Sequence, residues 1–299
     1  MTALAGTRTA PPDQPVRAIA LMVSAVLVFS AMDGISKYLT ADYPPVMVMW
    51  GRYAWSLALL LPLAWARRGE RPLRTPHWPR HLARGACMVG SGLFFVAGLV
   101  HLPLAEATAT AFVSPLLITA LSIPLLGETV GPRRWLAIAV GFSGVLIIVR
   151  PGGGAFGPAA LWPLLSAAVW ALAIVLTRMM RLADPPLTFL TYTALVGACG
   201  LGLPALLIWQ PVSAAACGLM LVCGGFSLLG QYLQLKAFRH GSASLLAPFS
   251  YCSIIGSSAI GVLVFDQFPD PWTWLGIAIV IASGVYTWHR ERVRARAAA

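Results

Sequence analysis

Hydrophobic residues in this chain come in long unbroken runs separated by short polar stretches, and the runs show no alternation of apolar and polar positions. Ten such runs can be marked: Ala18 to Leu39, Pro45 to Trp65, His81 to Leu102, Ala105 to Leu126, Trp135 to Val149, Pro158 to Met180, Leu187 to Trp209, Ala216 to Phe238, Ser244 to Phe265 and Trp272 to Trp288. Most have the roughly 17 to 25 residues that a helix needs to cross about 30 Å of hydrocarbon. Lipid admits only helices or closed barrels, and a barrel wall would alternate residue by residue. The pattern therefore predicts an all-α polytopic membrane protein with ten transmembrane helices.

The ten runs fall into two sets of five around Arg150-Pro151-Gly152-Gly153-Gly154-Ala155-Phe156-Gly157, a helix-breaking stretch. Sliding the sequence by 141 residues sets Phe29 on Trp170, Lys37 on Arg178 and Pro44-Pro45 on Pro185-Pro186. A slide of 138 sets Phe94 on Tyr232, Ala105 on Ala243, Ala109 on Ala247 and Glu128 on Asp266, and a slide of 140 sets Gly144-Val145 on Gly284-Val285. Repeated units of this kind define the architecture. The expected organisation is a disordered tail (1–17), a first five-helix unit (18–150), an external linker (151–157), a second unit (158–290) and a basic tail (291–299).

Composition agrees with a lipid environment: 58% of residues are hydrophobic, 10% are charged and mean hydropathy is +0.77. The net charge of +11 would suggest nucleic acid in a soluble protein, but here the charges cluster between apolar runs, where they set orientation. With the N-terminus inside, eighteen of the 21 Lys and Arg residues fall on the cytoplasmic side, Lys37 and Arg150 fall outside, and Arg52 lies within a run. Both termini are thus expected in the cytoplasm. Five crossings per unit make the second unit upside down relative to the first. The excess of Arg over Lys, with abundant Ala, Gly and Pro, suggests a GC-rich bacterium and hence its inner membrane as the location.

Leu126-Gly127-Glu128 followed by Gly141-Phe142-Ser143-Gly144-Val145, in tandem five-helix units, resembles the paired EamA units of the drug/metabolite transporter superfamily. The aromatic followed eight residues later by a basic residue, Phe29 to Lys37 and Trp170 to Arg178, is similar to that family's opening helix, whereas Phe265-Asp266 departs from the Gly-Glu closing signature. The length and aromatic-rich helices look most like the YddG-type exporters of aromatic amino acids. The resemblance implies a central cavity enclosed by helices 1 to 4 and 6 to 9, with helices 5 and 10 peripheral. It also implies a secondary transporter working by alternating access, as inverted repeats commonly do.

The residues suggest where a substrate would bind. Ser227, Gln231, Gln234 and Phe238 recur at steps of four, three and four, so they share a helix face. Thr108, Pro115, Thr119 and Ser122, then Ser166, Trp170 and Thr177, then Ser244, Pro248, Tyr251 and Ser258, extend the polar set. These residues either line a cavity or hydrogen-bond helices together. Phe94, Trp170, Tyr232 and Tyr251 fall at interior positions and are candidates for a substrate-stacking wall, the alternative being ordinary packing. Trp50, Trp55, Trp65, Trp135, Trp209, Trp272, Trp274 and Trp288 lie near run ends, as interfacial belts do. Asp33 and Arg52 are ionisable residues inside the membrane, and charges there are costly enough that an ion pair, structural or serving gating and coupling, is expected.

Other chemistry is not indicated. Gly152-Gly153-Gly154 lacks the Lys-Ser/Thr of a phosphate-binding loop, and neither His-Glu-x-x-His nor Gly-x-Ser-x-Gly occurs. The five cysteines have no metal or disulfide spacing. His77, His81, His101, His240 and His289 read as solvated. No cofactor is expected, and the partners are a small-molecule substrate and the bilayer. Gly141 and Gly144 are spaced too closely for a full GxxxG signal, so a monomer is the expectation. The substrate reading is export of aromatic and other neutral amino acids. The rival is a membrane enzyme for an apolar or lipid-linked substrate, which would need acids such as Asp33 and Glu106 brought together. A reporter fused at Ala299 should report from the cytoplasm and one placed after Gly154 from the external side. The same side for both would overturn the inverted repeat.

Overall fold

A computed structural model describes residues 15–66, 73–126, 132–149, 158–180, 184–241, 246 and 249–297. All regular structure among them is helical: α1 (Pro15–Leu39), α2 (Pro45–Ala66), α3 (Trp78–Leu99), α4 (Leu104–Ala111), α5 (Ser114–Leu126), α6 (Pro132–Val149), α7 (Leu161–Met180), α8 (Pro186–Gly200), α9 (Gly202–Leu207), α10 (Ala214–His240), α11 (Cys252–Phe265) and α12 (Pro271–Ala297). Six segments, Pro15–Leu39, Trp78–Leu99, Leu104–Leu125, Pro158–Met180, Pro186–Leu207 and Ala214–His240, are long and apolar enough to cross a membrane. The Gly-rich linker, the first fourteen residues, Gly127-Glu128, Ser244 and Pro248 lie outside the described residues.

Proline decides many of the boundaries. Pro15, Pro45, Pro132, Pro186 and Pro271 are the first residues of their helices, a position where the missing N–H has no intrahelical partner to lose and φ is already helical. Inside a run, proline has the opposite effect, because its ring clashes with the carbonyl four residues back. Pro115 would meet the carbonyl of Ala111, where α4 ends, and Pro204 that of Gly200, where α8 ends. The runs 105–126 and 187–209 are each therefore two helices. At the C-terminus α12 continues to Ala297 through the stretch expected as a basic tail.

Most packing joins the first half to the second. α1 and α10 run antiparallel, with Phe29 against Gly230 and Ser36 against Cys223. α3 and α7 run antiparallel through Gly98–Pro163, Gly90–Val169 and Arg84–Thr177. α2 lies parallel to α10 (Gly51 on Met220, Ser56 on Gly224) and antiparallel to α8 (Tyr53 on Gly197, Leu60 near Leu187 and Leu190). α3 lies parallel to α8, and α1 parallel to α11, with Gly34 against Ile260 and Ser30 against Gly256. α6 and α12 touch backbone to backbone: a Cβ added at Gly144 would sit 2.9 Å from the Gly276 carbonyl oxygen, and one at Gly141 would sit 2.7 Å from Ser283 Oγ. The small-residue face of α6 is thus used within the chain.

The outward surface is apolar. Leu203, Leu207, Ile255 and Leu263 are 67–83% exposed, and exposed apolar surface on this scale marks contact with lipid or protein rather than water. Trp135, Trp209, Trp272 and Trp274 are exposed near helix ends as expected, joined by Trp78 and Trp162. The Trp65 and Trp288 side chains are not among those described.

The close approach of α2 and α10 gives a test. A Cβ at Gly224 would lie 2.9 Å from the Arg52 carbonyl oxygen and the Ser56 nitrogen, backbone atoms that cannot swing aside, whereas a Cβ at Gly218 on the same helix meets nothing within 4 Å. Gly224→Ala should lower stability by about 1–3 kcal/mol through overpacking. Gly218→Ala should be neutral or slightly stabilising, since alanine is the better helix former by about 0.5–1 kcal/mol. Thermal unfolding of the purified protein in detergent measures both, and equal effects would contradict the packing.

Candidate functional site

Arg52 lies two turns into α2, at the meeting of α1, α2, α3 and α10, and is only 5% exposed. Its Nη1 donates to Met32 Sδ at 3.6 Å and its Nη2 to the Tyr53 hydroxyl at 3.2 Å. The guanidinium also lies over the Tyr53 ring at 4.9 Å. Nε is buried without a partner. Room for the group comes from Gly92 on α3, where a Cβ would stand 2.7 Å from Nη2. Asp33, half-buried on α1, follows Met32, the residue whose sulfur Arg52 contacts. The direct ion pair expected from the sequence is not formed: Arg52 directs its donors to a thioether and a phenol, and no nitrogen of it comes within 4.0 Å of the Asp33 carboxylate. Cys223 of α10 closes the group, 3.9 Å from Ser36 Oγ and donating to the Met32 carbonyl at 3.7 Å.

Along α10 the polar stripe stays together. Gln231 Nε2 donates to the Ser227 carbonyl at 3.2 Å and to Ser227 Oγ at 3.1 Å, while Gln231 Oε1 is buried without a partner. Gln234 is half-buried one turn past Gly230, and Phe238 is exposed. Three of the four candidate aromatics have described neighbours. Phe94 meets Trp162 at 6.0 Å. Tyr232 packs with Leu60, Leu187 and Leu190, with Lys236 Nζ 5.4 Å over its ring. Tyr251 is buried and stacked on Phe112 at 4.9 Å. Trp170 is half-buried, one turn beyond Ser166.

Of the polar set read from the sequence, Thr108 and Ser166 bond helices together, as do Ser30 and Ser56 outside that set. Thr108 Oγ1 donates to Ser257 Oγ at 3.0 Å, joining α4 to α11. Ser91 and Ser166 share a 3.1 Å hydrogen bond between α3 and α7. Ser30 Oγ donates to the Ser253 carbonyl at 3.1 Å and Ser56 Oγ to the Gly224 carbonyl at 3.0 Å. Ser258 Oγ is buried without a partner.

Sequence reasoning missed three polar groups. Arg84, counted among loop charges, is buried in α3. Its Nε donates to Thr177 Oγ1 at 2.6 Å, and its Nη1 donates to Thr193 Oγ1 at 2.8 Å and the Phe189 carbonyl at 3.5 Å. His81, expected to be solvated, is 1% exposed; its Nε2 lies 2.9 Å from Asp184 Oδ2 and its ring is stacked on Tyr192. Thr75 Oγ1 donates to the same carboxylate oxygen at 3.0 Å. The helix opens at Trp78, so His81 and Arg84 are one and two turns inside it. Their three-residue spacing, which puts them on one face, was the available signal. His101 and His289 are exposed. Lys37 donates to the Leu99 carbonyl at 2.9 Å and the Leu102 carbonyl at 2.7 Å. It thereby satisfies the carbonyls left open at the α3 C-terminus.

The chain is 30% identical over 289 residues to a riboflavin transporter of Rhizobium johnstonii, covering 95% of each chain. It is 28% identical to an S-adenosylmethionine uptake transporter of Rickettsia felis over 88% of this chain and 89% of that one. To a pseudopaline exporter of Pseudomonas aeruginosa it is 29% identical over 89% and 93%. A solved crystal structure superposes with a TM-score of 0.68 at 22% identity, covering 92% of this chain and 98% of its own, a likeness of fold. None of these relatives is named as a YddG-type exporter or as an enzyme. The sequence model of the EamA-like transporter family matches residues 16–150 and 157–287. The chain is a multi-pass membrane protein of the EamA-like transporter family, within the drug/metabolite transporter superfamily.

Proposed function

We propose that the chain crosses the bacterial cytoplasmic membrane ten times as two inverted five-helix repeats, and carries a small ring-bearing metabolite between them by alternating access. The observation that carries this reading is the symmetry of the helix pairing. Exchanging α1 for α7, α2 for α8, α3 for α10, α4 and α5 for α11, and α6 for α12 turns the α1–α10 contact into α7–α3. The same exchange turns α2–α10 into α8–α3 and α1–α11 into α7–α5, and leaves α2–α8 and α6–α12 unchanged. The directions support inversion. Starting from α1, the contacts make α10 and α2 run opposite to it, α8 and α3 run with it, and α7 run opposite again. Each helix so ordered opposes its counterpart, as an odd number of crossings per repeat requires. Both termini then face the cytoplasm, where the arginine-rich segments lie.

The substrate reading is broader than the sequence suggested. Relatives are named for riboflavin, S-adenosylmethionine and pseudopaline, and include both an uptake transporter and an exporter. Aromatic amino-acid export therefore narrows to one case within a class of small molecules that join a ring to polar groups. Ser227, Gln231 and Gln234 supply the neutral hydrogen-bonding stripe, with the Gln231 acceptor open; Phe94, Trp170, Tyr232 and Tyr251 supply apolar surface at the helix junctions, and Asp33 and Arg52 the charges. Pockets draw affinity from apolar contact and orientation from a few polar atoms.

Purified protein in liposomes should move at least one of riboflavin, S-adenosylmethionine, phenylalanine and tryptophan, and should not move a sugar phosphate, whose dianion would be left uncompensated at a cost of several kcal/mol. Gln231→Leu should reduce that flux about tenfold, the loss expected when one hydrogen bond of about 1.4 kcal/mol is removed. Flux of the sugar phosphate alone would overturn the substrate class.

A further inference from the structure

A carboxylate of the second half is gripped by two side chains of the first. Asp184 stands just ahead of α8, and its side chain is only 9% exposed. Its Oδ2 lies 2.9 Å from His81 Nε2 on α3 and accepts from Thr75 Oγ1 at 3.0 Å. Each partner is itself held in place. The His77 N–H donates to the Thr75 oxygen at 3.1 Å, which leaves the hydroxyl proton for the carboxylate. The His81 ring is stacked on Tyr192 and edge-on to Phe189, and the Tyr192 hydroxyl donates to the Leu73 carbonyl at 3.1 Å. A carboxylate only accepts, so the imidazole donates from Nε2, and its Nδ1 is buried without a partner.

The same joint recurs at the opposite end of the molecule in a different chemistry. The repeat offset of 141 carries Asp184 back to Tyr43, and the offset of 138 carries Thr75 to Ser213 and His81 to Leu219. These residues also meet: the Ser213 N–H donates to the Tyr43 hydroxyl at 3.1 Å, and Tyr43 and Leu219 pack on one cluster with Leu39, Val48 and Met220. Tyr43 precedes α2 as Asp184 precedes α8, and because α2 and α8 run antiparallel the two joints lie at opposite ends. One joint is a buried carboxylate held by side-chain donors; the other is a single exposed hydrogen bond over apolar packing.

We propose that Asp184, gripped by Thr75 and His81, is the latch that holds the two halves together at the end turned toward the cytoplasm, and that this latch parts during transport. The proposal rests on the transporter reading and names the residues that gate that end. Two features suit a contact that has to open. The bonds of Asp184 and Tyr192 all join one half to the other, so separation of the halves breaks them as a set. The His81 Nδ1, buried without a partner while the latch is closed, gains water when it opens, which offsets part of what is lost.

The test ties the latch shut in the full chain. In the double variant Thr75→Cys with Asp184→Cys, a short bis-thiosulfonate linker should bridge the two new thiols, as read by mass. Flux in liposomes of whichever of riboflavin, S-adenosylmethionine, phenylalanine and tryptophan the unmodified protein moves should then stop, and should recover on reduction. Each single variant, treated alike, controls for the five native cysteines and should keep its flux. Undiminished flux through the bridged protein would overturn the latch, and failure to bridge would overturn the contact itself. A second measurement needs no flux and decides if the double variant does not fold. The Thr75→Cys thiol should react with a water-soluble maleimide at least about tenfold faster when Asp184→Ala is added, the scale of one charge-assisted hydrogen bond. Equal rates would overturn the latch. Faster reaction in a protein that moves none of the four probes would uphold the opening joint and overturn the transporter reading.

Discussion

Hydrocarbon offers no hydrogen bonds, so each polar side chain placed in it must find its partner in the protein, and this requirement shapes how the two halves meet. Ser30, Ser56, Ser91, Thr108 and Arg84 each bond a helix of the other half. Each such bond is worth only about 0.6 kcal/mol on average, because a polar group in the membrane finds alternatives in the unassembled state as well. Their number aligns the helices, while the weakness of each leaves the interface able to rearrange. An apolar interface of the same area would have had nothing to set its register, since lipid is as apolar as leucine.

Glycine makes those bonds reachable. Gly224 brings α10 against the α2 backbone, where Ser56 reaches the Gly224 carbonyl at 3.0 Å. Gly144 and Gly276 do the same for α6 and α12, the pair that joins the ends of both halves. Helices that approach this closely are fixed to one another through many small dispersion contacts. The α6–α12 pair is thereby held together backbone to backbone.

Much of this was legible in the sequence because its physics is local. Run length located the helices, and the internal offsets located the two halves. What the sequence concealed depended on depth and facing. Arg84 and His81 sit at the start of an apolar run, where counting places them in a loop, but Trp78-Pro79 opens the helix three residues earlier and draws both inside. Asp33 and Arg52 were expected to pair, yet Arg52 donates to Met32 and Tyr53, which no spacing rule encodes. Phe94, Tyr232 and Tyr251 share a predicted depth but meet different partners, Trp162, the Leu60–Leu187–Leu190 cluster and Phe112, because depth does not say which way a residue faces.

The two arginines gain meaning when the repeat is applied to their surroundings. Ser36 displaced by 141 residues is Thr177, and Arg52 displaced likewise is Thr193, the two hydroxyls that receive Arg84. Cys223 lies beside Ser36 at 3.9 Å. The junctions α1–α2–α10 and α7–α8–α3 are therefore equivalent, and each holds one guanidinium supplied from a different corner. Ser36 is near the end of α1 and Thr177 near the end of α7, so on the inverted topology the junctions lie toward opposite faces of the membrane. Arg84 bonds two hydroxyls and a carbonyl and ties α3 to the second half, whereas Arg52 is left with a thioether and a phenol and its Nε has no partner, so the repeat supplies equivalent positions but unequal polar surroundings.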